Sequence, residues 1–452
     1  MTRNNSDTNT KAKSKNLSSI ILQTGSGGRV LVLSVVSLIV MMGSSIVSPS
    51  LALYAKQGLG ANEIFIGSII AGFAIGRVIF DIPSGMLTGK LGTSRAMLIG
   101  LTVLIVSTVA AGFAPNFWVL FATRVIEGIG SSIYVSGAIT YVLLSGDSSQ
   151  RGSRMSAYQS VIMLGPIMGP LIGAPVAAFY GLNSPYFAYA AIISLAFVAV
   201  LLLNRKGRLE PELNLKNGRK VTAEVKDTRL SAYLSTASIA TFGFAFMRSG
   251  VYTTAMPLFA YGSLHLSVID LGIIFASSSV ANLLASFFSG KLTGKFGMGW
   301  PLIFSLSFAA IIVAAIPFSA VMVELLVMIT ALGLASGFFG QSVAWAADQV
   351  EEKVRKTKEE EESNSTKSES KQACNEAAST AGSYIAKGVG FNRMIGDIGL
   401  ISGPIFVGYF ITSFRNHDAL WFLCFGCVSV VLALISISLH ALSKKDLHVR
   451  VK

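Results

Sequence analysis

Cysteine is almost absent from this chain of 452 residues, with only Cys374, Cys424 and Cys427. Three thiols give no disulfide framework. Cys424 and Cys427 have C-x-x-C spacing, but inside an apolar run, where two small packed residues are a simpler reading than a redox pair or a metal site. Histidine is equally scarce. His265, His417, His440 and His448 stand apart, without metal-ligand spacing, so neither a metal nor a cofactor is expected. No nucleophile–base constellation appears, which argues against an enzyme. Charge is short as well: Asp, Glu, Lys and Arg make up 13% of the residues, against about 25% in a soluble domain. Residues 1–29 lack the apolar core and cleavage site of a signal peptide and read as a cytoplasmic tail.

Hydrophobic residues make up 52% of the chain, and they fall in runs of about 20, the length a membrane helix requires. Twelve spans are read at 30–54, 62–85, 94–114, 117–145, 154–180, 184–204, 230–260, 267–290, 299–318, 320–348, 384–413 and 418–442. The net charge of +13 does not point to nucleic acid, because the Lys and Arg residues sit in alternate loops. That asymmetry puts both termini in the cytoplasm of a multi-pass cell-membrane protein.

An octet occurs twice. Gly85-Met86-Leu87-Thr88-Gly89-Lys90-Leu91-Gly92 returns, from residue 85 to residue 290, as Gly290-Lys291-Leu292-Thr293-Gly294-Lys295-Phe296-Gly297, an offset of 205 with six of eight positions identical. Gly128 likewise returns as Gly333, while Gly165-Pro166-Ile167 returns at Gly403-Pro404-Ile405, an offset of 238. The chain therefore divides into a first six-helix half at 30–204, a linker at 205–229, a second half at 230–442 and a tail at 443–452. The growth in offset places a polar cytoplasmic insertion at 349–380. Parallel repeats of six helices characterise one large transporter architecture. The first octet also imitates a phosphate loop, but it is one residue short and lacks the following Ser or Thr. Transport driven by a gradient is expected instead of ATP hydrolysis.

On these motifs the chain resembles the major facilitator superfamily over roughly residues 30–442, and its drug/proton antiporter branch in particular. Gly85, Gly89, Lys90, Gly92 and Arg95 follow the family's loop signature between helices 2 and 3, with Gly89 where an acid is usual. Arg124 to Gly130 is similar to the family's helix 4 motif, with Glu127 replacing a glutamine. Gly165-Pro166-Ile167-Met168-Gly169-Pro170 resembles the antiporter signature of helix 5. The resemblance implies an all-α fold of twelve membrane helices, a small-molecule substrate and protons as the coupling ion. A monomer in the lipid bilayer is expected.

Charges inside a bilayer are costly and mark function. Arg124 and Glu127 share one face of helix 4, and at the 205 offset they become Ile329 and Leu332. Arg124 lies about 14 Å along the helix from Pro115, near the midplane where such transporters bind substrate. Glu127 is accordingly the expected proton carrier, tuned by Arg124, with a purely structural ion pair as the alternative. Arg77 and Asp81 on helix 2 and Arg393 and Asp397 on helix 11 have opposite charge order. The resemblance sets those helices face to face, giving a cytoplasmic gate of Asp81–Arg393 and Arg77–Asp397 pairs, unless each pair is satisfied within its own helix. Arg248, Tyr252, Gln341 and Trp345 are candidate cavity residues, with Ser44 and Ser48 as cavity hydroxyls. Export of small amphipathic compounds is the leading reading. Uptake of an organic anion through Arg124 and Arg248, and a non-transporting sensor acting through the 349–380 loop, are the competitors.

Overall fold

A peptide group in hydrocarbon has no water to bond, so an apolar run of this length satisfies its backbone only as a helix or in a closed barrel. The computed structural model describes residues 27–145, 151–205, 236–296, 299–338, 392, 394–414 and 418–450, and these are helical, without strands. Gly27–Leu53 is α1, prolonged by a π-helical turn at Tyr54–Gly58. Glu63–Leu91, Thr93–Gly112 and Phe117–Leu144 are α2, α3 and α4. Helix α5 comes in two pieces, Arg151–Ile162 and Gly165–Tyr180, and α6 is Ser184–Arg205. In the second half, α7 runs through Thr236–Met247, a π-helix at Arg248–Ala255, and Met256–Gly262. Val268–Phe296, Gly299–Ala315 and Met322–Ser336 are α8, α9 and α10. Met394–Ser413 is α11 and Asp418–Arg450 is α12. Among the described residues, nine helices are long and apolar enough to cross a membrane. Two features depart from the sequence reading. Helix 5 is interrupted at Met163–Leu164, just before Pro166, which offers no N–H to continue the ladder. Helix 12 continues past 442. The linker and the 349–380 insertion lie outside the described residues.

The 205-residue repeat is written into the backbone even where side chains differ. Leu59 donates to Tyr54 O and Ala61 to Ala55 O at the end of α1; Leu264 donates to Phe259 O and Leu266 to Ala260 O at the end of α7. Leu120 donates to Asn116 O, and Leu325 to Val321 O. A Cβ on Gly128 would lie 2.1 Å from Phe73 O, and one on Gly333 would lie 2.2 Å from Ser278 O. Helix α4 thus presses onto α2 as α10 presses onto α8, and only glycine permits that approach. Gly165 against Met42 and Gly403 against Phe246 repeat the same close packing between α5 and α1 and between α11 and α7.

The left-handed turn after each first helix also repeats, at Gly60 (φ +62°) and at His265 (φ +52°). Histidine carries a Cβ into a conformation that costs a non-glycine residue about 1–2 kcal/mol. Replacing His265 by glycine gives back part of that through a freer unfolded chain. His265→Gly is expected to raise stability by about 0.5–1 kcal/mol, read as the midpoint of denaturation in mild detergent. No gain would show the turn to be held by something other than backbone strain.

Among the described residues, the two halves meet closely at the end of the bundle remote from the octets. A Cβ on Gly67 of α2 would lie 2.0 Å from Pro404 O of α11. One on Gly272 of α8 would lie 2.4 Å from Ala174 Cβ and 2.9 Å from Pro170 O, both on α5. These contacts leave a cavity between the halves at mid-depth.

Candidate functional site

Two polar assemblies lie in the interior. The first is a pair within one helix. Arg124 and Glu127 stand three residues apart on α4, and Arg124 Nη1 donates to Glu127 Oε2 at 2.6 Å. Glu127 has no exposed surface and Arg124 only 7%. The guanidinium stacks 5.0 Å from the ring of Phe73 on α2. Tyr186 and Tyr189 of α6 are close enough to interact electrostatically with the pair. The pairing is incomplete: Glu127 Oε1, Arg124 Nε and Tyr186 Oη have no hydrogen-bond partner among the described residues. A buried carboxylate with one bare oxygen is costly; a proton there would remove the charge but leave Arg124 as the uncompensated buried cation. The corresponding positions of the second half, Ile329 and Leu332, are buried and apolar. The second half packs this place without charge.

The second assembly is the cavity between the halves, about 200 Å³ in volume. Met41 of α1 and Gln159 of α5 line it from the first half; Arg248, Tyr252, Ser278 and Asn282 line it from the second. Arg248 is exposed there, and it opens the π-helical stretch of α7. Inserting such a turn rotates the following residues relative to an unbroken helix, and π-turns recur at functional sites. Tyr252 stands one turn on. Its hydroxyl donates to Phe275 O at 2.8 Å, and its ring meets Phe275 edge-on. Ser44 and Ser48 of α1, expected as cavity hydroxyls, are not among the described residues that line this cavity, and their hydroxyls donate to Met41 O and Ser44 O of their own helix. Gln341 and Trp345 lie outside the described residues.

The charges of α2 sit nearer the octet end. Asp81 Oδ1 accepts from Ser132 Oγ on α4 at 2.6 Å, a link inside the first half. The second half joins the same two positions by a weaker bond, Ser286 Oγ to Gly337 O at 3.1 Å. Arg77 is partly buried and Asp397 of α11 is buried. Arg393 lies outside the described residues, so the cross-half gate remains an expectation. In the octet turn, Gly85, Gly89, Lys90 and Arg95 are exposed, and Gly92 (φ +86°) both ends α2 and precedes α3. Thr88 Oγ1 donates to Ser84 O, as Thr293 does to Ser289 O in the second octet.

Ser132, Gln159, Ser278 and Asn282 did not emerge from the sequence. The one available signal was the Ser277-Ser278-Ser279 run with Asn282, a polar strip within an apolar helix. At the 205 offset Asn282 matches Arg77.

Two six-helix halves around a shared cavity that carries a few polar groups form the architecture of a secondary transporter. The Major Facilitator Superfamily model matches residues 33–357, and the chain belongs to that family of transport proteins, which are not enzymes. The chain is 24% identical over 283 residues to the synaptic vesicular amine transporter of Mus musculus, covering 62% of this chain and 53% of that protein. It is 27% identical over 298 residues to the quinolone resistance protein NorA of Staphylococcus aureus, covering 63% and 73%. The chain thus spans about half the length of the vesicular amine transporter. Among solved structures, the nucleoside transporter NupG superposes with a TM-score of 0.64 at 16% identity, covering 91% of this chain and 98% of that one, a likeness of fold.

Proposed function

We propose that this transporter exports small amphipathic compounds in exchange for protons, with Glu127 as the proton carrier and Arg124 as its partner. One observation carries the reading: a fully buried carboxylate keeps one oxygen bare, at a position where the other half has leucine. Arg124 holds the group charged in this conformation, and protonation would release that pairing and leave Arg124 to find another partner. Glu127 is sealed from water in this conformation. Coupling demands that, since a carboxylate open to both sides at all times would leak protons. Alternating access then rocks one half against the other, exposing the cavity to one side of the membrane at a time. The similarity to a quinolone resistance protein and to an amine transporter supports a small organic substrate. The excess of Lys and Arg in alternate loops supports a cell-membrane location with both termini in the cytoplasm. The 349–380 insertion is a spacer in this reading, and its deletion leaves flux intact.

The test is accumulation of a fluorescent amphiphile into proteoliposomes under an imposed pH gradient. Glu127→Gln keeps the side chain's shape and removes its titration. The variant is expected to lose gradient-driven accumulation by about tenfold or more, the usual size of a coupling between two sites. Exchange of substrate at equal pH persists. Intact proton coupling in Glu127→Gln would sink the assignment.

A further inference from the structure

Arg124 and Arg248 both lie within this bundle, and they are held in opposite ways. Arg124 is buried, paired with a carboxylate and covered by an aromatic ring. Arg248 is exposed in the cavity between the halves, and none of the described residues lining that cavity is acidic. A cation at the depth of the hydrocarbon is tolerated only when paired or when facing a water-filled space. Among the described residues Arg248 faces the cavity with no acid on its lining, so on that side its charge is open to whatever enters.

The position also breaks the repeat. At the 205 offset Arg248 corresponds to Gly43, which lies in the unbroken α1 helix and packs so closely under Tyr189 that a Cβ would fall 1.9 Å from the ring. In one half this place is closed by helix packing. In the other it carries a guanidinium and a π-helical backbone. Around that charge the cavity supplies neutral hydrogen-bonding groups from both halves, Gln159 from the first and Ser278 and Asn282 from the second. Met41 and Met163 supply apolar surface beside them. A planar guanidinium binds a two-oxygen anion through parallel N–H donors, which an ammonium does not do.

We infer that Arg248 forms an anion subsite, and that the transported compounds carry a carboxylate or another oxyanion head on a small apolar body. The inference rests on the reading of the cavity as the transport site and narrows its substrate class. The oxyanion lies against Arg248, and the amide and hydroxyl groups complete its hydrogen bonds. The apolar body lies along the methionines. Because the lining comes from both halves, one bound anion would contact both of them.

The test uses purified full-length protein and four probes sharing one body: 4-phenylbutyrate, 4-phenylbutylphosphonate, 4-phenylbutylamine and 4-phenylbutanol. Thermal stabilisation and calorimetric titration are read in detergent, where no gradient or flux is needed. The butyrate or the phosphonate is expected to bind at least tenfold more tightly than the amine and the alcohol. Which of the two wins separates a carboxylate from a phosphate-like head. Arg248→Gln removes the preference, and Arg248→Lys keeps part of it, showing a folded site with the charge in a poorer geometry. Equal binding of all four probes, tighter binding of the amine, or an undiminished anion preference in Arg248→Gln would overturn the subsite. Binding of the anions without flux in proteoliposomes would leave the subsite standing and count against the transport reading.

Discussion

Replacing Arg124 alone by isoleucine is expected to cost the protein about 3–5 kcal/mol, the usual penalty for stranding one member of a buried ion pair. Replacing Arg124 and Glu127 together by isoleucine and leucine is expected to recover most of that. The double change writes into α4 the residues that α10 already carries at Ile329 and Leu332, both buried in the second half. Those positions show that an apolar pair packs at this place in the repeat. Well-packed apolar replacements of buried ion pairs are often neutral or stabilising. The double variant should therefore unfold near the wild-type temperature in detergent while failing to couple flux to a pH gradient. Two measurements settle it together. A double variant as unstable as the single one would make the pair a structural requirement. A stable double variant that still couples would make it dispensable.

The repeat itself was legible in the sequence, because the octets and Gly128 and Gly333 recur as identities. For Gly128 and Gly333 the reason is physical: a backbone oxygen sits 2.1 or 2.2 Å from the would-be Cβ in each half, so only glycine fits in either. The turns at Gly60 and His265, and the helix starts at Asn116 and Val321, repeat the same backbone with different letters and left no mark in the sequence. The buried Arg124–Glu127 pair was legible from its spacing and its absence from the second half. The cavity was legible only in part. Arg248 announced itself as a charge in an apolar run, but a π-turn has no local sequence mark, so its position at a backbone irregularity was invisible. Ser278 and Asn282 were missed because a serine in an apolar helix usually satisfies itself on its own backbone, as Ser44 and Ser48 do here. The interruption of α5 lay next to Pro166, a visible residue, yet the apolar run across it is continuous.

Gly67→Leu is expected to hold the halves apart while leaving each one folded. Gly67 and Gly128 make equally close approaches, 2.0 Å to Pro404 O and 2.1 Å to Phe73 O. They differ in what they join. Gly128 joins α4 to α2 within one half, where no movement relieves a clash, so Gly128→Ala should destabilise the fold by about 1–3 kcal/mol. Gly67 joins α2 to α11 across the halves, at the seal remote from the octets. A side chain there is accommodated by opening that seal. A penalty of about 1–3 kcal/mol on the sealed state alone lowers its population by one to two orders of magnitude. Ala174, which faces Gly272 across the same seal, reports the change. With Cys374, Cys424 and Cys427 replaced by serine and Ala174 by cysteine, a membrane-impermeant maleimide should label the Gly67→Leu protein about tenfold faster than its Gly67 parent. Flux should fall by a similar factor, and the unfolding temperature should barely move. If instead labelling stays slow and the protein melts early like Gly128→Ala, the contact is fixed packing and the halves do not part there. The two glycines thus separate a joint that moves from one that does not, although the contact distances are nearly the same.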